Sequence, residues 1–471
     1  MGKGEDSASS QEILPSQPIS VQQKEISQAL ENFKTQVNKD DYDKFVNVSL
    51  KAYLASRAKN FKAGQLSNCY EEWKHITSDE DMLATISGEK IDFMSYPPIK
   101  HSTPYNNALQ KDHLNLVEQE IRSLLDKEVI VMSEPEEIEF VSPIFTVPKK
   151  GGKLRLILNL KKLNTSVKYA HFKMDSIHTI LKLITKDCWM ASIDLKDAYY
   201  SVKIHPEHQR FLKFTYKGQL YKFTVFPNGL SSCPCRFTKI MKPLLAKICL
   251  LLHIISGYLD DLYLQNHNYE GCVCAIVDTL QILEQYGFTI HPDKSVFIPS
   301  QTITVLGFVI NSKDMTITLT AQKITILISL IERILSTPDQ VTIRQVAKIL
   351  GHLVSSLPAV MFGALYYRCL DKDKTCALKV SNGNFEARMS ISQQGIRELT
   401  WWLDNLEGSY NVIQHPPIDV ELYSDASTTG WGAALGEQST GAHWSPIEAE
   451  LHINALELKA ALFALQSFKH H

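Results

Sequence analysis

Two adjacent carboxylates, Asp260 and Asp261, stand in the tetrapeptide Tyr258-Leu259-Asp260-Asp261. Apolar runs flank them, His253-Ile254-Ile255-Ser256-Gly257 before and Leu262-Tyr263-Leu264 after. A short polar centre with apolar flanks predicts a β-hairpin whose turn carries the acids. Like charges this close raise each other's proton affinity, so a site that keeps both ionised needs a cation, usually a divalent metal. Alone, an Asp-Asp pair is more often a solvated turn. A third acid bears on the choice. The apolar segment Trp189-Met190-Ala191-Ser192-Ile193 delivers Asp194 at its end, followed at once by the turn Leu195-Lys196-Asp197-Ala198-Tyr199-Tyr200. Carboxylates at strand ends suit metal ligation because the backbone there is rigid yet reachable.

These acids need elements to hold them. From Val141 to His171 the chain carries Lys149, Lys150, Lys153, Arg155, Lys161, Lys162 and Lys168 and no acid. Gly151-Gly152 marks a tight turn between β-like runs from Ile144 to Val147 and from Leu154 to Leu158. Such a basic hairpin is either a solvated edge whose lysines deter strand pairing or a cover for polyphosphate. In the second case Lys149 or Lys150 would act as point charges and Arg155 as a bidentate fork. Downstream, Phe226-Pro227-Asn228-Gly229-Leu230 turns into a helix from Cys235 to about Ile248. A second helix runs from about Cys272 to Tyr286, and a strand is expected from Thr304 to Ile310. The order strand and acid, helix, acid and hairpin, helix, strand predicts an α+β domain with an antiparallel sheet.

Upstream, residues 1–20 are rich in Ser, Gln and Pro and read as a disordered tail. Residues 21–100 form a helical N-terminal extension, with Ile26, Leu30, Phe33, Val37 and then Phe45, Val48, Ala52, Ala55 at helical steps. Trp73 to Asp79 ends in a cap-like polar residue. A further helix, about Asn106 to Lys127, aligns Leu109, Leu116, Val117, Ile121, Leu124 and Leu125. After the sheet, helices are expected at 321–335, 343–356 and 391–403, with Lys323, Arg333, Arg344, Lys348, Arg368 and Arg397 as their basic residues.

Composition bounds the rest. The chain has 471 residues, more than one core, with 44% apolar and 21% charged residues. A formal charge of −2 means that nucleic-acid binding would need a local basic surface. The nine cysteines form no Cys-x-x-Cys or Cys/His array, so neither zinc module nor disulfide framework is indicated. No signal core, membrane span or myristoylation site is legible, and a soluble intracellular chain without membrane partners is expected.

The ordered set from the basic hairpin through Ile193-Asp194, Phe226 to Leu230, Tyr258 to Asp261, Gly287-Phe288 with Pro292-Asp293-Lys294, and Leu306-Gly307-Phe308 resembles the polymerase core of reverse transcriptases. The resemblance covers about Phe140 to Ile310. His205 to Leu212, Trp73 to Asp79 and Leu350-Gly351-His352-Leu353 look like the DIRS-type, gypsy-related retroelements. The resemblance implies a right-hand polymerase: fingers and palm over 101–310 with an antiparallel palm sheet, and a helical thumb and connection over 311–418. The activity implied is RNA-directed DNA polymerisation, adding dNTPs to a DNA primer 3′-hydroxyl on an RNA or DNA template. It also implies two Mg²⁺ ions, or Mn²⁺, held by Asp194, Asp260, Asp261 and the backbone carbonyl of Leu195. Lys149, Lys150 and Arg155 would hold the β/γ-phosphates, the amides of Asp197 and Ala198 would cradle the triphosphate, and Tyr199 would block a 2′-hydroxyl. Asn228 stands where the sugar could be hydrogen-bonded, and Lys294 in a region proposed to protonate pyrophosphate.

Residues 419–471 are similar to the start of a ribonuclease H-like α/β domain. Asp425 and Glu457 match its carboxylates, while the remaining ones belong beyond His471. The expectation is an incomplete domain without ribonuclease H activity. An inactive or domesticated copy that only binds nucleic acid is the alternative to an active enzyme.

Overall fold

The computed structural model describes residues 19–102, 114–148, 154–414 and 420–469. Residues 1–18 of the expected tail, the start of the helix from Asn106, and Lys149 to Lys153 lie outside the described residues; Ile19 and Ser20, also assigned to the tail, instead begin helix Ile19–Thr35. The described chain up to Ile413 is one compact unit and the chain beyond it a second.

At the centre of the first unit is an antiparallel sheet of four strands in the order Ile254–Tyr258, Asp261–Asn266, Trp189–Asp194, Val296–Ser300. Helices Cys233–Leu250 and Tyr269–Gln285 each present a buried stripe, Phe237, Ile240, Leu244, Ile248 on the first and Cys272, Ile276, Leu280, Leu283 on the second. Both stripes enter the same cluster of buried side chains as Ile193, Leu262 and Leu264 of the sheet. The hairpin Ile144–Pro148 with Leu154–Leu158 forms as expected, with Val147 opposite Arg155. A three-stranded sheet of Ile130–Met132, Gln219–Phe223 and Lys213–Tyr216 completes this part.

The helical extension belongs to the same core. Its buried Trp73 donates from Nε1 to the carbonyl of Tyr286 (3.2 Å) and packs edge-on against Tyr286 and Phe288. Tyr42 donates to the carbonyl of Phe297 (2.9 Å). The stripe read at Phe45, Val48, Ala52 and Ala55 is not the buried one: Val48, Ala52 and Ala55 are exposed, and Tyr42, Val46, Leu50, Tyr53 and Leu54 are inside. A π-helical turn over Val46–Leu50 shifts the register, which a uniform helical period cannot anticipate. Asp79 caps the start of the next helix, Glu80–Gly88, by accepting from the Met82 amide (3.1 Å).

The strand expected from Thr304 to Ile310 is two strands, Thr302–Val305 and Phe308–Asn311. Leu306 and Gly307 both have positive φ (49° and 77°) and form a two-residue turn between the pair Val305 and Phe308. That is the primed geometry hairpins favour, hidden because leucine rarely enters it. This sheet continues through Thr316–Leu319 and Tyr410–Val412. Helices Ala321–Leu335, Ile343–Ser356 and Gln393–Leu406 contribute to a second cluster through Leu327, Ile331, Ile349, Leu353 and Trp402. The architecture is α+β with antiparallel sheets.

The second unit pairs Leu422–Ala426, Gly430–Leu435 and Gln438–His443 antiparallel and packs helix Ile453–Ser467 through Leu456 and Ala460 near Trp444.

Candidate active site

Strand pairing sets the first two acids. Asp194 is the cross-strand partner of Asp261, so their side chains share one face of the sheet. Cβ atoms so paired lie about 4.5–5.5 Å apart, where like charges destabilise. Asp261 also pairs with Tyr258, which leaves Leu259 and Asp260 as the two turn residues. Leu259 takes φ 53°, the left-handed region that a Cβ disfavours, so the turn holds local strain. The Asp260 carbonyl accepts from the Leu195 amide (2.8 Å), which ties the turn to the end of the strand carrying Asp194. The Leu195 side chain is buried, so only its backbone can serve a ligand.

Asp194 is almost buried. Its amide donates to Ser295 Oγ (3.0 Å) and its carbonyl accepts from the His291 amide (2.8 Å). Both carboxylate oxygens accept from Lys294 Nζ, at 3.1 and 3.0 Å. Lys294 thus supplies the positive charge at the cluster in this structure. Burial, and then the nearby charge of Asp194, push Asp260 above the usual carboxylate range, against Lys294 and Arg155, which pull it down. Asp261 is pushed up to about 6 by burial and by the charges of Asp260 and Asp194. Among the described residues no His, Cys, Asp or Glu side chains stand three together in the arrangement of a metal site. The donor chemistry nevertheless suits one, because hard carboxylate oxygens raised by mutual repulsion gain most from a divalent cation.

A carboxyl whose proton affinity is higher in the fold than in the open chain favours the fold when protonated. That contribution is lost as pH rises from about 4 through about 6. In metal-free buffer, Asp261→Asn is therefore expected to raise unfolding free energy near pH 8 by about 1–2 kcal/mol, after discounting the shift for solvent screening, and to change it little near pH 4. Denaturant melts at the two pH values check this.

Most of the other expected site residues have contacts of their own. Asp197 has φ 50° and heads the 3₁₀ turn Ala198–Ser201; its carboxylate pairs with Lys127 Nζ (2.7 Å), a contact the sequence did not reveal. Ala198 is buried, and half-buried Tyr199 meets Phe237 edge-on at 5.4 Å. Burial raises the Tyr199 phenol well above its ordinary range, helped by the charge of Asp260. Asn228 Nδ2 donates to the hydroxyl of buried Tyr200 (3.3 Å). Arg155 is exposed on its strand. Lys149 and Lys150 lie outside the described residues. His291 and Ser295, which brace Asp194, and Lys127 carry no motif by which sequence spacing could find them.

Of the basic residues on the later helices, Lys323 lies over the Phe308 ring (3.9 Å) and Arg344 pairs with Glu386, so both have local partners. In the second unit Asp425 lies on strand Leu422–Ala426 and Glu457 on helix Ile453–Ser467, both exposed. Among the described residues no helix is long and apolar enough to cross a membrane.

Residues 147–310 match the family model for reverse transcriptase (RNA-dependent DNA polymerase). The chain is 25% identical over 283 residues to the Transposon Tf2-3 and Tf2-7 polyproteins of Schizosaccharomyces pombe; the match covers 58% of this chain and 21% of theirs. The chain thus spans about a fifth of the length of these curated relatives. Among solved structures it is similar to a foamy viral protease-reverse transcriptase in complex with dsDNA, at TM-score 0.57 and 18% identity, covering 97% of this chain and 87% of that one. The same viral protein in complex with an RNA/DNA hybrid matches at TM-score 0.55 and 16% identity, over 85% of this chain and 55% of that one.

Proposed function

We propose that this chain, which carries a reverse transcriptase domain over residues 147–310, is the RNA-directed DNA polymerase of a retrotransposon. The observation that carries the reading is the register that sets Asp194 opposite Asp261, with Asp260 in the adjoining hairpin turn. The similarity to transposon polyproteins supports a gypsy-related element; a DIRS-type branch rests on His205 to Leu212, Trp73 to Asp79 and Leu350 to Leu353.

Asp194, Asp260 and Asp261, with the Leu195 carbonyl, would hold two Mg²⁺ ions, or Mn²⁺. When bound, these activate a primer 3′-hydroxyl and neutralise the leaving pyrophosphate. Around them the chain positions substrate. Arg155, with Lys149 or Lys150, would grip the β/γ-phosphates, and the amides of Asp197 and Ala198 would cradle the triphosphate. Lys294, which bonds the Asp194 carboxylate, would donate a proton to pyrophosphate. Asn228 acts through Tyr200, whose hydroxyl it holds. Asp425 and Glu457 match two of the ribonuclease H carboxylates; the activity proposed for the domain over residues 147–310 is polymerisation. Template and primer are RNA or DNA and DNA; dNTPs are the substrates.

Tyr199 is the proposed sugar gate. Its ring is fixed against Phe237 and follows Asp194 in the same turn, so a 2′-hydroxyl would have to enter occupied space. Extension of a DNA primer on an RNA template tests both points. Wild type should extend with dNTPs, and Tyr199→Ala should improve the ratio of rNTP to dNTP incorporation roughly 10–200-fold, the usual range for steric discrimination in a pocket. An unchanged ratio in an active Tyr199→Ala variant would remove the gate assignment.

A further inference from the structure

Lys127 follows helix Leu114–Asp126 and reaches the turn after Asp194. Its Nζ lies 2.7 Å from Asp197 Oδ2, with both side chains about three-quarters or more buried (26% and 20% exposed), while Lys196 stands farther off at 3.8 Å. Asp197 holds φ 50° and begins the 3₁₀ turn that carries Tyr199. Two backbone bonds from the helical extension fix this arrangement. The Ala63 amide donates to the Lys127 carbonyl and the Gly64 amide to the Tyr200 carbonyl, each at 2.8 Å. Gly64 has φ 73°, and a Cβ there would run into the side chain of Lys203, so the position favours glycine on both counts. Lys62 adds a bond to the Asp126 carbonyl (2.7 Å) and an ion pair with Glu128 (3.0 Å). Residues 62–64 are therefore a staple between the end of the fingers helix and the turn below the nucleotide site.

We propose that Lys127, pinned by residues 62–64, is a positioning residue for the incoming nucleotide that neutralises Asp197 and fixes the turn carrying Tyr199. The inference rests on the polymerase reading above. A carboxylate beside a triphosphate cradle repels the polyanion, and in a partly buried site that repulsion is only partly screened. The ammonium cancels it without touching the reacting atoms. The effect belongs to nucleotide binding and not to the chemical step.

The test is steady-state primer extension with dNTP titration for wild type, Lys127→Met, Lys127→Arg and the double variant Lys127→Met/Asp197→Asn. Expected is a rise in KM for dNTP of roughly tenfold in Lys127→Met, the size of one partly screened charge contact, with kcat little changed. Lys127→Arg should restore most of it, and the double variant should recover KM because the repelling charge is gone. A merely structural lysine would not give the KM-against-kcat split or the recovery by Asp197→Asn. Extension by wild type with an unchanged KM in Lys127→Met, or no recovery in the double variant, overturns the proposal alone. No extension by folded wild type overturns the polymerase reading and this inference with it.

Discussion

Asp260→Asn is expected to lower Mg²⁺-dependent primer extension on the order of a thousandfold or more. A bound metal contributes several kcal/mol of charge stabilisation at the reacting phosphate, and each 1.36 kcal/mol is about tenfold in rate. Asn keeps the size of the side chain but cannot carry the charge that the metal requires. The turn should survive the change, because the Leu259-Asp260 hairpin is held by the Tyr258 and Asp261 pair and by the bond from the Leu195 amide to the Asp260 carbonyl. These are backbone contacts. Unchanged circular dichroism and thermal melting in the variant would attribute the loss to the carboxylate. A residual rate within about tenfold of wild type would place the metal elsewhere.

The second large effect is on stability. Trp73→Ala is expected to cost about 3–5 kcal/mol, the range for truncating a buried Trp or Phe. Trp73 is fully buried, its indole nitrogen bonded to the Tyr286 carbonyl and its ring set against Tyr286 and Phe288. Phe288 also meets Phe237, the ring that supports Tyr199. The truncation would thus loosen the helical extension and the ring contacts beneath Tyr199 together. Arg236 limits the damage, since it keeps ion pairs to Asp81, Glu89 and Asp92. Urea unfolding read by fluorescence and circular dichroism would show a shifted midpoint. A cost below about 1 kcal/mol would mean that the extension folds apart from the core.

What the sequence disclosed, and what it hid, follows from the range of each signal. Asp194 at a strand end and Asp260 in a hairpin were legible because local alternation and turn chemistry mark them. The helices of the later sheet and the basic hairpin were legible for the same reason. The turn at Leu306-Gly307 was hidden, because a leucine at positive φ is imposed by the strands around it and leaves no local trace. The register of residues 45–55 was hidden by a single π turn. Contacts between distant segments, Lys294 on Asp194, Lys127 on Asp197 and Trp73 on Tyr286, carry no spacing rule at all. They set the charge balance and rigidity of the site, and only the fold brings them together.

Asp194, Asp260 and Asp261 are proposed to drive RNA-templated DNA synthesis together. The most direct test of this role is extension of a DNA primer on an RNA template by wild type and Asp260→Asn across a Mg²⁺ titration. Wild type should extend the primer only with Mg²⁺, extension should be abolished by EDTA, and Asp260→Asn should lose it. Equal extension by the two proteins, or none from folded wild type at any Mg²⁺ concentration, would contradict this role.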